Sequence, residues 1–267
     1  MKVIRPVNLE QLNSLEVRFL DGGEAQLDSS WKVSDRQPPY SRLYYIYDGA
    51  LRLEWQGGVM QLRAGGLYLL PAGLSFSATC ERSASKLYFH LQLLKTDGYD
   101  AAAELDHPAC LPLDAERLRR LRDLMQVDSL QAALLLKNQL TEDLLAFFEA
   151  ERVGESGLSD HSPTVLAAMQ IIRRHLSAQL TVREVADRLY VSERTLTKAF
   201  RRELGQTPGR YIDDMLFMEA CRHLLLTNRS VGEISEQLGY CDQFYFSRRF
   251  KAQCGKSPAA YRSQSSD

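Results

Sequence analysis

The spacing of apolar residues changes along this chain and divides it into a β-rich part and a helical part. Between residues 41 and 93, apolar and polar residues alternate in short segments separated by glycine and proline. Such alternation is typical of half-buried β-strands. From Asp114 onward, apolar residues recur every three to four positions, which predicts α-helices. We therefore expect an α+β multidomain chain.

Six short strands are predicted in the β-rich part. Gly57-Gly58 is the expected hairpin turn between two of them. Short strands at such close spacing favour a sandwich or a barrel. The predicted strands are SRLYYIYDG (41–49), ALRLEWQGG (50–58), VMQLRAGG (59–66), LYLLPAG (67–73), LSFSATC (74–80) and KLYFHLQL (86–93).

The next region, from Asp114 to about Val153, has an apolar face too broad for a lightly packed surface helix. Part of this face should cover the barrel. The rest either packs there too or pairs with the same helix of a second chain, and both alternatives stay open. The face consists of Leu130, Leu134, Leu136, Leu140, Leu144, Leu145, Phe147 and Phe148.

The segment GESGLSDHS, residues 154–162, predicts a flexible linker before the last hundred residues. Ser162-Pro163 then reads as the cap and first residue of a new helix. Beyond it one pattern occurs twice, since the apolar spacing of residues 182–189 recurs at 231–238, and that of 196–204 recurs at 246–254.

The predicted helix starts agree with the repeat. Thr181-x-x-Glu184 and Ser230-x-x-Glu233 are capping boxes, which satisfy free amides at a helix N-terminus. The second helix of each pair has its own N-cap, Ser192 in one copy and Asp242 in the other. Two short helices joined by so tight a turn form a helix-turn-helix. Thr207-Pro208 begins a longer helix, to about Leu226, between the copies.

The second helix of such a unit presents its outer face to the DNA major groove. In the second copy, we expect Tyr245, Phe246 and Phe250 to form a small core. If both helices enter one face of DNA, they should lie about 34 Å apart. The residues on the outer faces are Arg194, Thr197, Lys198 and Arg201 in the first copy, and Gln243, Phe244, Ser247, Arg248 and Lys251 in the second.

The charge distribution supports this interpretation. Residues 163–262 carry 16 Lys and Arg against 10 Asp and Glu, whereas the whole chain has 33 against 34, which leaves 17 against 24 elsewhere. A basic segment suits a polyanionic partner. The alternative, a helical bundle whose polar faces are only solvated, is less consistent with two copies in a basic segment.

The motifs TVREVADRLYVSERTLTKAFRRELGQTPGRYI (181–212) and GYCDQFYFSRRFKAQCGKSPAAYR (239–262) resemble the AraC/XylS family of bacterial transcription regulators. The resemblance covers roughly residues 163–262. It implies two recognition helices that read bases through Arg194, Thr197, Lys198, Gln243, Phe244 and Arg248. There are departures, because Leu216 stands where an arginine often precedes the small residue Ala220, and Lys198 stands where arginine is common.

Gly49 to Phe76 resembles the cupin jelly roll that serves as a sensor in many such regulators. Metal-binding cupins place a histidine after a Pro-x-Gly turn, but here Phe76 follows Pro71-Ala72-Gly73. His90 is the only histidine in the strands, so no metal and no cofactor are predicted. A non-metal barrel suits a small ligand. Candidate lining residues are Tyr44, Trp55, Tyr68, Tyr88 and His90, each of which is equally well explained as ordinary core.

The remaining features restrict the class of protein. The chain has no H-E-x-x-H, G-x-S-x-G or G-x-G-x-x-G motif, which argues against an enzyme. Five scattered cysteines, no apolar secretory segment and no membrane span predict a cytoplasmic protein without a membrane partner.

Together these patterns predict a barrel at residues 1–105, a helical packing or dimerisation segment at 106–153, a linker at 154–162 and a DNA-binding domain at 163–262. The expected function is a transcription regulator that binds double-stranded DNA and responds to a small-molecule effector; stacked aromatic residues would suit a sugar. A homodimer and RNA polymerase are further candidate partners. Two alternatives are a barrel that only dimerises and a cupin enzyme fused to a DNA-binding module.

Overall fold

The computed structural model describes residues 16–35, 38–95, 98–153 and 161–264. The described residues divide into two compact units. The sheet domain comprises residues 17–93 and 100–153, and the helical domain comprises residues 161–264 with the described residues between 94 and 99. The predicted linker lies outside the described residues except for its last two positions. Within the described residues, no helix has the length and hydropathy needed to cross a bilayer.

The sheet domain is built on one antiparallel sheet of seven strands. Its main path follows the order β1-β6-β3-β5-β7, with β2 beside β6 and β4 beside β3. The strands are β1 (Glu16–Asp28), β2 (Lys32–Asp35), β3 (Ser41–Trp55), β4 (Gly58–Arg63), β5 (Gly66–Leu70), β6 (Phe76–Leu94) and β7 (Ala109–Pro112). Strands β1, β2 and β7 are absent from the sequence-based prediction.

Several predicted strand boundaries are wrong, because the strands continue through them. Residues 41–55, which include the predicted strand 41–49 and most of the predicted strand 50–58, form the single strand β3, and residues 74–80 and 86–93 both contribute to β6. The register between these two strands shifts on both sides of Asp48 and Gly49, as at a β-bulge. Gly49 has φ +68°, and a Cβ there would lie 2.0 Å from the Ser83 carbonyl oxygen, so the bulge requires glycine.

The hairpin between β3 and β4 is confirmed, but its turn lies one residue earlier than predicted. Trp55 pairs with Gly58, which leaves Gln56 and Gly57 as the two turn residues. Gly58 is already the first residue of β4.

Successive residues of β3 and β6 point to opposite faces of the sheet, and each face has its own apolar core. On the outer face, Leu43 and Tyr45 join a cluster with residues of the following helices. On the other face, Tyr44 and Ile46 belong to a cluster drawn from strands β1, β3, β4, β5 and β6, without any helix residue. We call this second face the sheet interior.

Helices α1 (Ala115–Met125) and α2 (Leu130–Glu151) follow the sheet and cover its outer face. The broad apolar face predicted from the sequence is divided between two environments. Leu140, Leu144 and Phe147 are at most 2% exposed and pack on the sheet. Partly buried Leu136 and Phe148 border that cluster. Leu130, Leu134 and Leu145 face outward, with 78%, 58% and 52% of their surface exposed.

A buried polar contact also joins these helices to the sheet. The Tyr45 hydroxyl donates to Asp143 Oδ2 at 2.5 Å, and Arg117 of α1 forms an ion pair with the same carboxylate. Burial raises the pKa of Asp143, while the Tyr45 and Arg117 contacts act in the opposite direction. Because Tyr45 is almost fully buried, its hydroxyl depends on Asp143 for a hydrogen-bond partner.

The helical domain contains the repeat that the sequence predicts. Thr181 and Ser230 both form complete capping boxes, and Ser162, Ser192 and Thr207 cap the helices assigned to them. These helix starts are confirmed. The helices are α3 (Pro163–Arg174), α4 (Val182–Arg188), α5 (Glu193–Leu204), α6 (Pro208–Leu226), α7 (Val231–Gln237), α8 (Gln243–Cys254) and α9 (Pro258–Gln264).

Helix α6 is the central helix between the two helix-turn-helix units, α4–α5 and α7–α8. Tyr211, near its start, packs edge-on against Phe200 of α5 at a centroid distance of 5.8 Å. Phe217, one and a half turns further, lies 5.1 Å from Phe250 of α8. Both second helices are therefore held against one scaffold.

Candidate nucleic-acid interface and sheet interior

The outward faces of α5 and α8 carry the polar residues proposed to contact DNA. Most of these side chains are exposed, and Thr197 and Ser247 are half-buried. On the opposite faces, Leu196, Phe200 and Phe246 are at most 1% exposed. Each helix thus has one anchored face and one free face. The exposed members are Arg194, Lys198 and Arg201 in α5, and Gln243, Phe244, Arg248 and Lys251 in α8.

The N-terminus of α8 is fixed by Asp242, whose carboxylate accepts hydrogen bonds from the amides of Phe244 and Tyr245 at 2.7 Å each. The Tyr245 amide contributes most to lowering the pKa of Asp242, and the nearby charge of Arg248 lowers it further. Ser192 caps α5 in the same way, accepting from the Thr195 amide at 3.1 Å.

The two adjacent arginines of α8 have different environments. Arg249 forms an ion pair with Asp213 of α6, with 2.7 Å between Nη2 and Oδ1. Arg248 has no ion-pair partner among the described residues and is exposed. Arg249 therefore joins α8 to the scaffold, whereas the guanidinium of Arg248 is available to a ligand.

One core prediction for α8 is wrong, and the exposed position of one aromatic residue, Tyr190, is absent from the sequence-based prediction. Tyr245 is 41% exposed and only borders the core through Tyr240, at a centroid distance of 6.2 Å. Its position, one residue before Phe246, turns it about 100° around the helix from the buried face.

In the first motif, Tyr190 is 97% exposed in the turn before α5.

In the sheet interior, three of the predicted lining residues form one group. Tyr44 is buried, Tyr88 is half-buried, and the two pair directly between β3 and β6. His90 lies 5.5 Å from the Tyr88 ring and 5.0 Å from the Tyr40 ring, centroid to centroid.

The other two predicted lining residues, Tyr68 and Trp55, pack in the same interior cluster, where Tyr68 pairs with Tyr44 between β3 and β5, and both also contact turns. The Tyr68 hydroxyl accepts from the Arg63 amide at 2.7 Å, at the turn between β4 and β5. Trp55 packs against the turn between β3 and β4, where a Cβ on Gly57 would lie 2.7 Å from the Trp55 Nε1 atom.

Two buried cations in the same place are absent from the prediction. Arg42 and Lys86 are 2% and 1% exposed. Their positions alternate with Leu43 and Leu87, which pack on the outer face, so both cations point into the sheet interior. The sequence contains an indication of this placement. In Arg42-x-Tyr44 and Lys86-x-Tyr88 the cation and the aromatic residue are two positions apart, which places them on one face of a strand.

Three aromatic rings surround the ammonium of Lys86. Its Nζ lies 3.9 Å from the centroid of the Tyr44 ring, 4.6 Å from that of Trp31 and 5.5 Å from that of Tyr88. Burial lowers the pKa of Lys86 to about 7, and the charge of Arg42 acts in the same direction. Arg42 itself forms an ion pair with Asp35 and donates to the Tyr40 hydroxyl at 3.1 Å.

His90 is 6% exposed, and burial holds its pKa well below 6.5, with the charges of Arg42 and Lys86 adding to the effect. Its Nδ1 atom lies 3.7 Å from Asp21 Oδ2, and within the described part of the chain neither atom has a hydrogen-bond partner. Burial raises the pKa of Asp21. Two buried polar atoms so close together can be bridged by one small polar group.

Comparison with known proteins places the sequence similarity in the helical domain. A family described as "Helix-turn-helix domain" matches residues 185–264. The xylose operon regulatory protein of Escherichia coli is 33% identical over 105 residues, or 39% of this chain and 27% of that protein. YfiF of Bacillus subtilis, an HTH-type transcriptional regulator, is 35% identical over 92 residues, and the chain spans 29% of its length. The chain therefore covers less than a third of either relative.

Two further similarities extend over nearly the whole chain. YobQ of Bacillus subtilis, also an HTH-type transcriptional regulator, is 23% identical over 249 residues, or 88% of this chain and 96% of that protein. The crystal structure of apo ToxT from Vibrio cholerae aligns with a TM-score of 0.60 at 13% identity, covering 93% of this chain and 97% of that one. ToxT with an unsaturated fatty acid bound aligns with a TM-score of 0.58 at 12% identity, covering 93% and 95%. These structures share the fold.

Proposed function

Because the helical domain of this chain belongs to the AraC-type helix-turn-helix family, we propose that the chain is a sequence-specific DNA-binding transcription regulator whose sheet domain binds a small-molecule effector. The observation that carries the DNA-binding part is the pair of helices α5 and α8, each anchored by an apolar face and free on a basic one. No enzymatic activity is part of the proposal.

The chemistry of the free faces suits base reading. Arg194 and Arg248 can each donate two hydrogen bonds to guanine, and Gln243 can pair in the same way with adenine. Phe244, 71% exposed, offers an apolar ring to a thymine methyl. Lys251, one turn beyond Ser247 and two turns beyond Phe244, suits a phosphate instead. We further propose that α5 and α8 enter successive major grooves about 34 Å apart.

Selection of binding sites from a random DNA library by the full chain would test this function. The chain offers a matched pair of variants, Arg248→Ala and Arg249→Ala. We expect Arg248→Ala to weaken binding to the selected site by about 1–3 kcal/mol and to relax one base preference. Arg249→Ala removes the ion pair with Asp213 and should leave every base preference intact. Equal base preferences for wild type and Arg248→Ala would contradict the assignment.

The sheet interior is the proposed effector site. Tyr44, Tyr88 and His90 lie there together with Arg42 and Lys86. All five residues belong to strands β3 and β6, and none lies in a turn. The fatty-acid-bound form of ToxT is a precedent for a small molecule in a protein of this fold. Melting the full chain against sugars and other small metabolites would test for an effector. A ligand at about 100 times its Kd should add about 2.7 kcal/mol to stability.

A homodimer is the proposed assembly, formed through the outward face of α2. Leu130, Leu134 and Leu145 are more than half exposed on α2, with Leu130 and Leu134 one turn apart and Leu145 three turns further along, and exposed apolar side chains on one helix suit an association site. Sedimentation of the full chain should show a dimer that Leu134→Glu converts to monomer without loss of the folded state. A monomeric wild type at micromolar concentration would contradict this assembly. Contact with RNA polymerase is a further proposed role of the DNA-bound chain.

A further inference from the structure

The sheet interior contains more positive charge than its described surroundings neutralise. Arg42 and Lys86 are both cations in water, and both are at least 98% buried here. The carboxylate of Asp35 forms its ion pair with Arg42. Asp21, on β1, lies against His90 at 3.7 Å. Three aromatic faces surround the Lys86 ammonium, which forms no ion pair with any described carboxylate.

A buried ammonium without a counter-ion is costly, because transfer out of water disfavours the charged form. The faces of Tyr44, Trp31 and Tyr88 offset part of this cost through cation–π contacts. A methionine or leucine would fill the same position without the cost. A lysine at this place is therefore better explained by an anion that it binds than by packing.

We propose that the effector of this chain is an organic carboxylate with an apolar or aromatic body, and that its carboxylate pairs with the Lys86 ammonium in the sheet interior. This inference rests on the proposed effector-binding function and specifies the chemical class of its ligand. It differs from the sugar suggested by stacked aromatic residues, because a neutral sugar would leave Lys86 uncompensated.

Two features describe how such a ligand would be held. Trp31 and Tyr88, which both contact the ammonium, are half-buried, so this side of the cluster borders the surface and is where the apolar body would lie. The unpaired Nδ1 atom of His90 supplies a second polar contact on the same face, next to Tyr88. His90 is neutral near pH 7, so it contributes a hydrogen bond and Lys86 contributes the charge.

Titration calorimetry of the full chain tests the proposal with four probes: benzoate, octanoate and their neutral analogues benzamide and octanamide. Both carboxylates share the charge, and the difference between them reports whether the body is a ring or an alkyl chain. We expect at least one carboxylate to bind about thirtyfold or more tightly than its amide. Because the amine of Lys86 is partly deprotonated near neutral pH, pairing should draw a proton from solution.

Proton uptake provides a readout that does not depend on a variant. The binding enthalpy at pH 8 should vary with the ionisation enthalpy of the buffer, corresponding to nearly one proton taken up, and this dependence should fade at pH 6. Two other pairs of ionisable groups face Lys86 and are the alternative sources of a change in bound protons: Arg42 with Asp35, and His90 with Asp21. Lys86→Met should abolish both the uptake and the preference for carboxylate, and Lys32→Met, at an exposed lysine of β2, should change neither.

Three results would overturn the inference. The first is equal binding of carboxylate and amide, which leaves an effector site but removes its charge selectivity. The second is carboxylate binding that Lys86→Met does not weaken, which places the ligand elsewhere. The third is no carboxylate binding at millimolar concentration. Sequence-specific DNA binding, measured on the same preparation, separates these results from a failure of the regulator function itself.

Discussion

Replacing Lys86 by methionine should stabilise the sheet domain, although it removes three cation–π contacts. The fall in the lysine pKa from 10.5 to about 7 corresponds to about 5 kcal/mol of unfavourable free energy for the buried cation. The contact with the buried Tyr44 ring offsets about 2 kcal/mol, and the contacts with the half-buried Trp31 and Tyr88 offset about 0.5–1 kcal/mol each. Methionine has a similar length and no charge to bury. We therefore expect a net gain of about 1–2 kcal/mol at pH 7.

The pH dependence of that gain has a definite sign. In the unfolded chain Lys86 stays protonated up to about pH 10.5, whereas in the folded chain it loses its proton near pH 7. Between these values the unfolded state binds more protons, so wild-type stability rises with pH, and the cost of the cation is complete only below pH 7. The advantage of Lys86→Met should shrink by about 2 kcal/mol between pH 7 and pH 9.

The chain contains a convenient probe for this measurement. Both of its tryptophans, Trp31 and Trp55, lie in the sheet domain, so urea unfolding of the full chain followed by tryptophan fluorescence reports on that domain. Lys32→Met is the control, because it removes an exposed lysine from the same sheet. A loss of stability in Lys86→Met at pH 7, or an advantage that does not change with pH, would refute the reasoning. Lys86 would then be a structural cation held by its rings.

Three further predictions concern other parts of the chain. Lys251→Ala should weaken binding to all DNA sequences alike and reduce the slope of log K against log salt by about 1; a loss confined to one sequence would argue against a phosphate contact. Asp143→Ala should cost the sheet domain about 3 kcal/mol in urea unfolding, because it leaves Tyr45 and Arg117 without their shared carboxylate; a cost below about 1 kcal/mol would show the contact to be dispensable. Gly239→Ala should lower helical-domain stability by about 2 kcal/mol or more in circular-dichroism melts, since φ is +76° and the new Cβ would lie 2.2 Å from Ser177 Oγ; an unchanged melt would contradict this packing.

The helical domain could be predicted from the sequence because its signals are local. The capping residue at each helix start acts on amides two or three positions away, so Ser230 and Glu233 define the start of α7 by themselves. The burial of Phe246 and Phe250 follows from helical spacing. The prediction that Tyr245 belongs to the core is wrong, because its position one residue before Phe246 turns it away from the buried face of α8.

The sheet could be predicted only in part, because its strands depend on distant partners. Gly49 looks like a strand end, but β3 continues through it where a close approach to Ser83 requires glycine. Strand β1 contains Gly22, whose missing side chain leaves room for Phe89, a contact that no local pattern reveals. Lys86 resembles a solvent-facing residue until the pairing of β3 and β6 places it beneath Tyr44.

The turn of the second helix-turn-helix unit bears on how domains of this type can be recombined. The Ala178 amide, between α3 and α4, donates to the Leu238 carbonyl at 2.8 Å, and Gly239 lies against Ser177. The connection that precedes the first motif is thus part of the packing of the second. A chimera that exchanges only residues 230–254 must keep glycine at 239 and a small residue at 177. The exchangeable module is therefore the whole helical domain rather than a single motif.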